Sequence, residues 1–485
     1  MNVENTVFLF RYFSKININD ANENRNIYIY DAHYICIMDK EFVISYLKKT
    51  NYWWNTKKID EVDQGIKREE YLQTLQEDLK LERIVCITGI RRSGKTTLLF
   101  QLIDTLLKNK VKPEHIVYIK LDDLLGKIED IREITSIYQE LTGIDPKTNE
   151  IFFLFDEIHF FNKWQFQLKY FIDSKYKSKF IISGSSKTLL YKDASESLAG
   201  RIRFINMFPL TFKEFLKFNK IPLKNIETID FTTIKKFYHD LLPNKETILH
   251  QFRQYLEVGG FPEWFKIKNV KQWYKVLVDD YLSLFLFKDI VFVFKIKDPI
   301  LLEKLVHEVA LFTTNRFNYT KLSNRLDADR ETIKLYLYYL ESSGLIFISE
   351  VYFKSKKARE RIEKKIYFWE EGLRKALTLD ESEDKSIENI VAWHTIKKEM
   401  KEKVFLTPAY WKNKYEVDFV LDGKKLIPIE VKYRKTPDDI KGLIEFAKKF
   451  DTKHNIVVTK DLLDKKFIDG KEILFIPAWL YLLVI

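Results

Sequence analysis

The feature that most constrains this chain is a glycine-rich segment, Gly89-Ile-Arg-Arg-Ser-Gly-Lys-Thr-Thr97. It fits the pattern G-x-x-x-x-G-K-[ST] at every defined position, and it lies between a β-branched run at 83–88 and a helical pattern at 96–107. Glycines here let backbone N–H groups surround a phosphate, and the following helix directs its positive N-terminus at that phosphate. The order strand, glycine-rich loop, helix therefore predicts a nucleotide-binding site in a parallel α/β domain.

The side chains of this loop match the needs of a nucleotide phosphate and its metal ion. Lys95 would reach the β- and γ-phosphates, and the Thr96 hydroxyl would ligate Mg²⁺. ATP with Mg²⁺ is therefore the expected ligand. The predicted nucleotide-binding residues are Gly89, Arg91, Arg92, Ser93, Gly94, Lys95, Thr96 and Thr97.

Two acids, Asp156 and Glu157, follow the apolar run 151–155, which is typical of a buried strand. On the same sheet as the loop, Asp156 would hold Mg²⁺ through water, and Glu157 would orient and deprotonate the attacking water. A solvated acidic pair at a strand end is the alternative. The four residues 156–159 also match the DExH motif of helicases, but nothing after residue 210 indicates the second RecA-like domain that helicases need. ATP hydrolysis is the favoured interpretation.

Two further residues are candidates for contacts with the γ-phosphate. The predicted strand 180–183 is followed by Gly184 and Ser185, whose hydroxyl would contact that phosphate. Arg201 would supply a positive group to the transition state, although an ordinary surface ion pair is the alternative for an isolated arginine. If Arg201 acts in trans, the chain forms a homo-oligomer, and one sequence leaves that choice open.

Several motifs together resemble a known family. They are the glycine-rich loop, Phe-Asp-Glu-Ile-His159, Leu-Ala-Gly-Arg201 and Pro-Leu-Thr-Phe-Lys-Glu-Phe215. These resemble the prokaryotic, largely archaeal AAA-type ATPases that carry a C-terminal domain of unknown function. The resemblance implies an ATP hydrolase with Ser185 as sensor and Arg201 as arginine finger. It covers residue 67 to the end, and residues 1–66 fall outside it.

The pattern of elements predicts an α/β fold with several units. A P-loop AAA-type core with a parallel sheet between helices is followed by a helical lid, a winged helix and a C-terminal α/β domain. The expected boundaries are 1–66 for a segment of unknown role, 67–208 for the core, 209–298 for the lid, 299–366 for the winged helix and 367–485 for the C-terminal domain.

The C-terminal domain contains a second set of carboxylates. A three-residue turn at 423–425 would place Asp418 opposite Glu430, and Lys432 would share a strand face with Glu430. Glu388 on a preceding helix would complete the set. The pattern resembles the PD-(D/E)XK nuclease core, in which Asp418 and Glu430 would hold a metal ion while Lys432 assists the reaction. Surface ion pairs, or the fold without its chemistry, remain alternatives.

The positive charge of the chain is locally concentrated. Residues 354–365 contain seven Lys or Arg and two Glu, and they would form the tip of the wing. Such a hairpin would contact a DNA backbone, and a solvated charged loop is the alternative. The predicted recognition helix Arg330–Ser342 offers Arg330 and Lys334, whereas Leu335, Leu337 and Leu340 are expected in the core.

Composition limits the other function classes. The formal charge of +11 over 485 residues favours polyanions only weakly, and the two cysteines do not suit a disulfide scaffold. The chain shows neither an apolar run of membrane-spanning length nor a signal peptide, so a cytoplasmic location without a membrane partner is expected.

Two functional hypotheses follow. The first is a Mg²⁺-dependent ATPase that controls DNA engagement through the winged helix, with metal-dependent DNA cleavage by the C-terminal domain as an open addition. The catalytic residues would then be Lys95, Glu157, Ser185, Arg201, Glu388, Asp418, Glu430 and Lys432. The second is an ATP-dependent switch or scaffold that recruits a protein partner, with a catalytically silent C-terminal domain.

Overall fold

A computed structural model of the chain describes residues 39–185, 190–191, 194, 197–224, 230–352, 363–402, 409–422, 425–437 and 439–485. Three sheets of five strands each occur among these residues. Helices pack against the first sheet. Within the part of the chain described, none of the helices combines the length and apolarity needed to cross a membrane.

The first sheet is wholly parallel, with strand order β2-β3-β4-β1-β5. Its strands consist mainly of β-branched and aromatic residues, and two of them, β1 and β3, are buried at every position, as expected when helices cover both faces. The sequence-based expectation of a parallel α/β domain is therefore confirmed. The strands are β1 Ile84–Thr88, β2 Ile116–Lys120, β3 Phe152–Asp156, β4 Lys179–Gly184 and β5 Ile202–Asn206, and the helices are Glu69–Asp78, Lys95–Lys108, Ile131–Thr142 and Trp164–Asp173.

The described part of the N-terminal segment, residues 39–66, covers the open edge of this sheet. Asn51 exchanges hydrogen bonds with the backbone of Tyr118 on edge strand β2, at 3.1 and 2.7 Å. The indoles of Trp53 and Trp54 both donate to the carbonyl of Ile116. Side chains thus satisfy backbone groups that an edge strand would otherwise expose. The segment comprises a helix at 39–50 and two short helices, Trp53–Thr56 and Glu61–Gln64.

A helical region follows the first sheet. Its first helix, Phe212–Phe218, which we call the lid helix, begins with a capping box in which Thr211 and Glu214 bond each other's backbone N–H groups. Two π-helical stretches, Val276–Leu282 and Phe285–Val291, interrupt its last helix. The other helices are Phe231–Leu241, Lys245–Val258, Trp264–Ile267, Val270–Lys275 and Phe292–Phe294.

The second sheet is mixed, with strand order β10-β9-β7-β8-β6. A short strand, β6, which was not predicted, lies between its first two helices, and β7 pairs with β9 as well as with β8, so the sheet extends beyond a two-stranded wing. The expected boundary between residues 366 and 367 lies inside β8. The strands are β6 Arg316–Phe317, β7 Ile346–Val351, β8 Lys364–Phe368, β9 Ala409–Lys412 and β10 Glu416–Val417, and the helices are Pro299–Phe312, Tyr319–Leu326 and Arg330–Ser342.

The third sheet is also mixed, with strand order β11-β12-β13-β15-β14. Its last helix, Ala478–Val484, is buried at every position and packs against the lid helix, so one hydrophobic core runs from the lid to the C-terminus. The strands are β11 Phe419–Asp422, β12 Leu426–Lys432, β13 Asn455–Thr459, β14 Asp464–Ile468 and β15 Lys471–Pro477, and the helices are Glu371–Thr378, Glu383–Glu402, Lys441–Phe450 and Ala478–Val484.

Two sequence-based expectations about the charged region need correction. Residues 354–362 of the predicted basic hairpin tip lie outside the described residues, but Lys364 and Lys365 belong to β8. Lys365 is only 3% exposed, because its side chain turns inward toward the third sheet. On the helix Arg330–Ser342, Leu337 and Leu340 are buried as expected, whereas Leu335 is 46% exposed.

Candidate nucleotide site and C-terminal acidic cluster

The glycine-rich loop begins where β1 ends, at the carboxyl edge of the first sheet. A Cβ on Gly89 would lie 2.2 Å from the carbonyl oxygen of Met207, so the loop can approach the end of β5 this closely only with glycine there. Gly94, which precedes the helix Lys95–Lys108, has a φ of 97°, a conformation that side-chain-bearing residues rarely adopt. Both defined glycines of the motif are therefore required by the backbone.

Lys95 folds back over the loop. Its ammonium donates to the carbonyl oxygens of Gly89 at 2.9 Å and Ile90 at 3.3 Å, and the side chain is almost fully buried. These carbonyls hold a positive charge above the loop, where the loop's backbone N–H groups would receive a phosphate. The position of Lys95 is compatible with its predicted contact to the β- and γ-phosphates.

Asp156 is buried at the end of β3 and is surrounded by hydroxyl groups. Thr96 donates to its Oδ2 at 2.6 Å, Tyr118 donates to the same oxygen at 2.9 Å, and Ser183 donates to Oδ1. Burial, and then the charge of Asp156, raises the pKa of the Tyr118 phenol, so this donor keeps its proton. The structure thus brings together Thr96 and Asp156, the two residues that the sequence assigns to Mg²⁺.

Glu157 lies next to this pair and lines the same cleft. Its backbone N–H donates to the Ser183 hydroxyl at 3.1 Å, and its φ is 57°. Its carboxylate lies 3.4 Å from the imidazole Nδ1 of His159. The strained backbone aims this side chain away from the strand and toward the loop, which is compatible with a role in orienting water.

Hard oxygen donors of this kind suit Mg²⁺, because the ion prefers carboxylate, hydroxyl, water and phosphate oxygens in an octahedral arrangement. Thr96 and Asp156 supply two such donors beside the expected phosphate position. Across the described residues, no group of three or more His, Cys, Asp or Glu side chains is arranged to hold a metal ion. The ion expected here would therefore take most of its ligands from phosphate and water.

Ser183 is a site residue that the sequence did not single out. It joins Asp156 to the backbone of Glu157 from the neighbouring strand β4. A serine at a fully buried strand position is the signal that would have found it. Ser185, the predicted sensor, lies just beyond β4 at the same edge, and its buried hydroxyl has no hydrogen-bond partner among the described residues.

Arg201 lies at the opposite end of the strands, where the strands of the first sheet begin. Its carbonyl accepts from Ile84 N at the start of β1, whereas the loop follows the end of that strand, roughly 20 Å away along the strand direction. Its guanidinium lies 3.0 Å from Asp173 and is 40% exposed. Arg201 therefore cannot reach the phosphate site of its own chain, and a finger role requires a second copy.

The loop opens into a cleft of about 530 Å³ that also contains residues from outside the motif. Ile66 and Gly65 come from the N-terminal segment, and Pro262 and Phe265 come from the helical region. Apolar residues beside a phosphate-binding loop suit a nucleotide base. No role was predicted for residues 1–66, because the short helix Glu61–Gln64 carries no motif. The cleft-lining members of the predicted loop are Arg91, Arg92, Gly94, Lys95, Thr96 and Thr97.

Arg68 connects the loop to the lid helix. Its guanidinium donates to the Ser93 carbonyl at 3.2 Å, and to both carboxylate oxygens of Glu214 at 2.8 Å. Burial raises the pKa of Glu214, but the charges of Arg68 and Lys397 outweigh burial and lower it to about 2. A second link joins Arg92 to Glu263 at 2.8 Å. Arg92, predicted to bind nucleotide, thus contacts the helical region.

The C-terminal hairpin has the predicted register. Asp422 pairs with Leu426 and Phe419 with Ile429, so the next step places Asp418 opposite Glu430. Asp418 Oδ2 accepts from Val431 N at 2.9 Å, and Lys432 lies 2.7 Å from Glu430. Burial, and then the charge of Asp418, raises the pKa of Glu430 to about 8, although Lys432 opposes this.

Glu388 joins this cluster from the helix Glu383–Glu402, as predicted, but a lysine lies between it and Asp418. The Lys365 ammonium is 3.1 Å from Glu388, 3.0 Å from Asp418 and 2.8 Å from Glu416. Burial lowers the pKa of Lys365, but the surrounding acids outweigh burial and raise it well above its usual range, so the lysine stays charged. Neither Lys365 nor Glu416 was predicted to lie here.

Comparison with family models divides the chain into three matched parts. Residues 81–216 match a family described as "AAA domain". Residues 249–384 and 383–481 match two families described as domains of unknown function, DUF8612 and DUF4143. Together with the parallel sheet and the glycine-rich loop, the first match supports an AAA-type P-loop ATPase fold with a nucleotide site. The nuclease-like core of the C-terminal domain stays a prediction.

The chain is similar to several uncharacterized relatives and to solved structures. The chain is 25% identical over 428 residues to an uncharacterized protein of Haemophilus influenzae, and the aligned region covers 86% of this chain and 98% of that protein. It is 28% identical to an uncharacterized protein of Methanocaldococcus jannaschii, covering 82% and 87%. A Walker-type ATPase of Pyrococcus abyssi is 16% identical, with a TM-score of 0.40, and covers 64% of this chain and 95% of that one.

Proposed function

We propose that this chain is a Mg²⁺-dependent ATPase that uses its nucleotide state to control the engagement of DNA. The observation that carries the proposal is the arrangement of Thr96, Asp156 and Glu157 beside the glycine-rich loop, with both oxygens of Asp156 held by hydroxyls. This arrangement supports hydrolysis, because it sets a metal-binding pair and a general base around one phosphate position.

The residues of the chain divide the reaction between them. When bound, Mg²⁺ neutralises charge that develops on the phosphate oxygens. When ATP binds, the Lys95 ammonium leaves the loop carbonyls and donates to phosphate oxygens. Glu157 orients the attacking water and accepts its proton. Ser183 keeps Asp156 and the Glu157 backbone in register across two strands. Ser185 contacts the γ-phosphate from the neighbouring strand end.

Arg201 completes the site from a second copy of the chain. It is exposed at the edge opposite the loop, so one copy can present it to the cleft of the next. This arrangement makes the active form a homo-oligomer. A lone subunit would bind ATP and hydrolyse it slowly, because it lacks the positive group at the transition state.

The nucleotide state reaches the rest of the chain through Arg68. The Arg68 guanidinium donates to both the Ser93 carbonyl and Glu214 of the lid helix. A movement of that carbonyl on ATP binding therefore shifts the guanidinium and its contact with the lid helix. The lid helix packs against the C-terminal helix Ala478–Val484, and the two share one core with the second sheet. A change at the loop is therefore passed to the helix Arg330–Ser342 through packed elements.

DNA engagement is assigned to this helix and to the preceding helix Tyr319–Leu326. Arg330 and Lys334 are exposed on it and suit phosphate contacts, and the chain as a whole is basic, as a cytoplasmic DNA-binding protein would be. Lys364 and Lys365 are not part of this surface, since they bind Glu350 and the C-terminal acids. The remaining basic residues of 354–362 lie outside the described residues.

A second candidate function is a nucleotide-dependent switch that recruits a protein partner. It is favoured by Leu335 and Tyr338, which are 46% and 49% exposed on the same helix. Exposed apolar side chains of this size are more typical of a protein interface than of a phosphate-binding surface. In this case the C-terminal domain would be catalytically silent.

The deciding experiment measures ATP turnover and salt-dependent DNA binding by the full chain. Glu157→Gln is expected to lower turnover about 100-fold or more while ATP binding persists, because it removes only the general base. Glu129→Gln, an exposed acid outside the cleft, is the matched control. Duplex or single-stranded DNA is expected to stimulate turnover. Turnover that is unchanged in Glu157→Gln contradicts the ATPase, and DNA binding that is absent at low salt supports the protein-partner switch.

A further inference from the structure

The C-terminal acidic cluster already contains a cation of its own. Lys365 lies on β8 of the second sheet, and its ammonium is within 3.1 Å of one oxygen from each of Glu388, Asp418 and Glu416. An ammonium has three donors, so these three carboxylates account for all of them. The side chain is 3% exposed, which leaves little room for solvent or an added ion.

The elements around Lys365 fix it in this position. Lys365 and Tyr367 share one face of β8, and Tyr367 donates to the same Glu388 oxygen at 2.9 Å. Asn389, next to Glu388 on its helix, exchanges hydrogen bonds with the backbone of Phe368. The strand and the helix are therefore held together just beyond the lysine, at the C-terminal end of β8.

The charges of the cluster are balanced within the chain. Arg316 lies 3.3 Å from Glu416, Lys412 lies 3.9 Å from the same acid, and Lys432 lies 2.7 Å from Glu430. Together with Lys365, these four cations face the four carboxylates of the cluster, and Arg316 is shared with Glu363, also at 3.3 Å. Metal sites of the nuclease kind need a surplus of negative charge, because the ion brings two positive charges into a buried space. The residues present do not fit a divalent metal ion.

We propose that Lys365 is the resident cation of this cluster and that it excludes divalent metal ions from it. The acids at 388, 416 and 418 then serve to fasten strand β8 to the helix Glu383–Glu402, to strand β10 and to the C-terminal hairpin. The DNA cleavage suggested by the motif is absent from the wild-type chain for this reason. The inference stands independently of the proposed ATPase, because none of its residues lies near the glycine-rich loop.

Titration of the nucleotide-free full chain with Mn²⁺, followed by the electron paramagnetic resonance of free Mn²⁺, tests the proposal. Lys365→Met keeps the length of the side chain and removes its charge, and it is expected to gain one Mn²⁺ site. The affinity should exceed that of the wild-type cluster by at least about 100-fold, because a neighbouring positive charge is removed. Lys364→Met, which removes a lysine paired with Glu350 on the other face, is the matched control and should gain nothing.

The outcomes separate the possibilities. Loss of the new site in the double variant Lys365→Met with Asp418→Asn supports the proposal. A folded Lys365→Met chain that binds no additional Mn²⁺ overturns it. If Lys365→Met does not fold, the wild type decides the matter. If the wild type binds Mn²⁺ saturably and the Glu430→Gln variant does not, the proposal is overturned. If the two chains give the same isotherm, the proposal is supported.

Discussion

The two acidic sites of this chain use similar carboxylates but different partners. At the glycine-rich loop, Asp156 is held by the neutral hydroxyls of Thr96, Tyr118 and Ser183. In the C-terminal cluster, Asp418 meets the ammonium of Lys365. Hydroxyls stabilise a buried carboxylate without cancelling its charge, whereas a lysine cancels it. The comparison teaches that the partners of an acid, more than the acid itself, determine whether a site can attract Mg²⁺.

The largest expected effect separates the two sites by activity. Asp156→Asn is expected to lower ATP turnover about 100-fold or more, because the loss of its charge weakens the hold on Mg²⁺. Asp418→Asn is the counterpart in the other cluster and should leave turnover near the wild-type level. Steady-state ATP hydrolysis over a series of Mg²⁺ concentrations measures both. Equal losses in the two variants would contradict the division of roles.

The next effect concerns stability. Lys365→Met leaves three carboxylates without their shared cation and is expected to destabilise the chain by about 3 kcal/mol. Lys432→Met removes a lysine that is 31% exposed and has one carboxylate partner, so its cost should be about 1 kcal/mol or less. Urea denaturation followed by circular dichroism measures both values. Added Mn²⁺ should restore part of the stability of Lys365→Met, and similar costs for the two lysines would contradict the comparison.

The nearness of Thr96 and Asp156 could be predicted because each belongs to a short local pattern that follows a strand. The motif at 89–97, and the acids that end β3, are each local patterns, and parallel strands must bring them to one edge. Asp418, Glu430 and Lys432 were predictable for the same reason, since one hairpin contains them.

The residues that sequence analysis missed act across long separations. Lys365 reaches Asp418 from another sheet, and Arg68 reaches Glu214 across 146 residues. Lys365 was assigned to a charged hairpin because neighbouring lysines and arginines share its segment, and a charge run does not reveal which of its members turns inward. Arg201 was predicted to be an arginine finger from its motif. The strand register shows that it lies at the end of the sheet away from its own loop, and the sequence pattern does not reveal this.

Glu370 provides the smallest and most specific test of the comparison, because it is a buried acid whose described hydrogen bonds come from backbone N–H groups. Its Oε1 accepts from Gly260 N and Gly372 N, and none of the ion pairs among the described residues involves it. Burial raises the pKa of Glu370 to about 8, in contrast to Glu214, where Arg68 and Lys397 lower it. Glu370 should therefore bind a proton near neutral pH.

The sign of the resulting pH dependence follows from linkage. Because the folded chain holds this proton more tightly than the unfolded chain, the stabilisation is complete below the unfolded pKa of 4.5 and is lost as the pH rises through about 8. Between these limits, wild-type stability should fall relative to Glu370→Gln by about 1 kcal/mol per pH unit. Urea denaturation at about pH 5.5, 6.5 and 7.5, all within this window, measures the difference. The exposed Glu381→Gln is the control. Parallel pH profiles for wild type and Glu370→Gln would show that neutral partners alone do not keep this acid protonated.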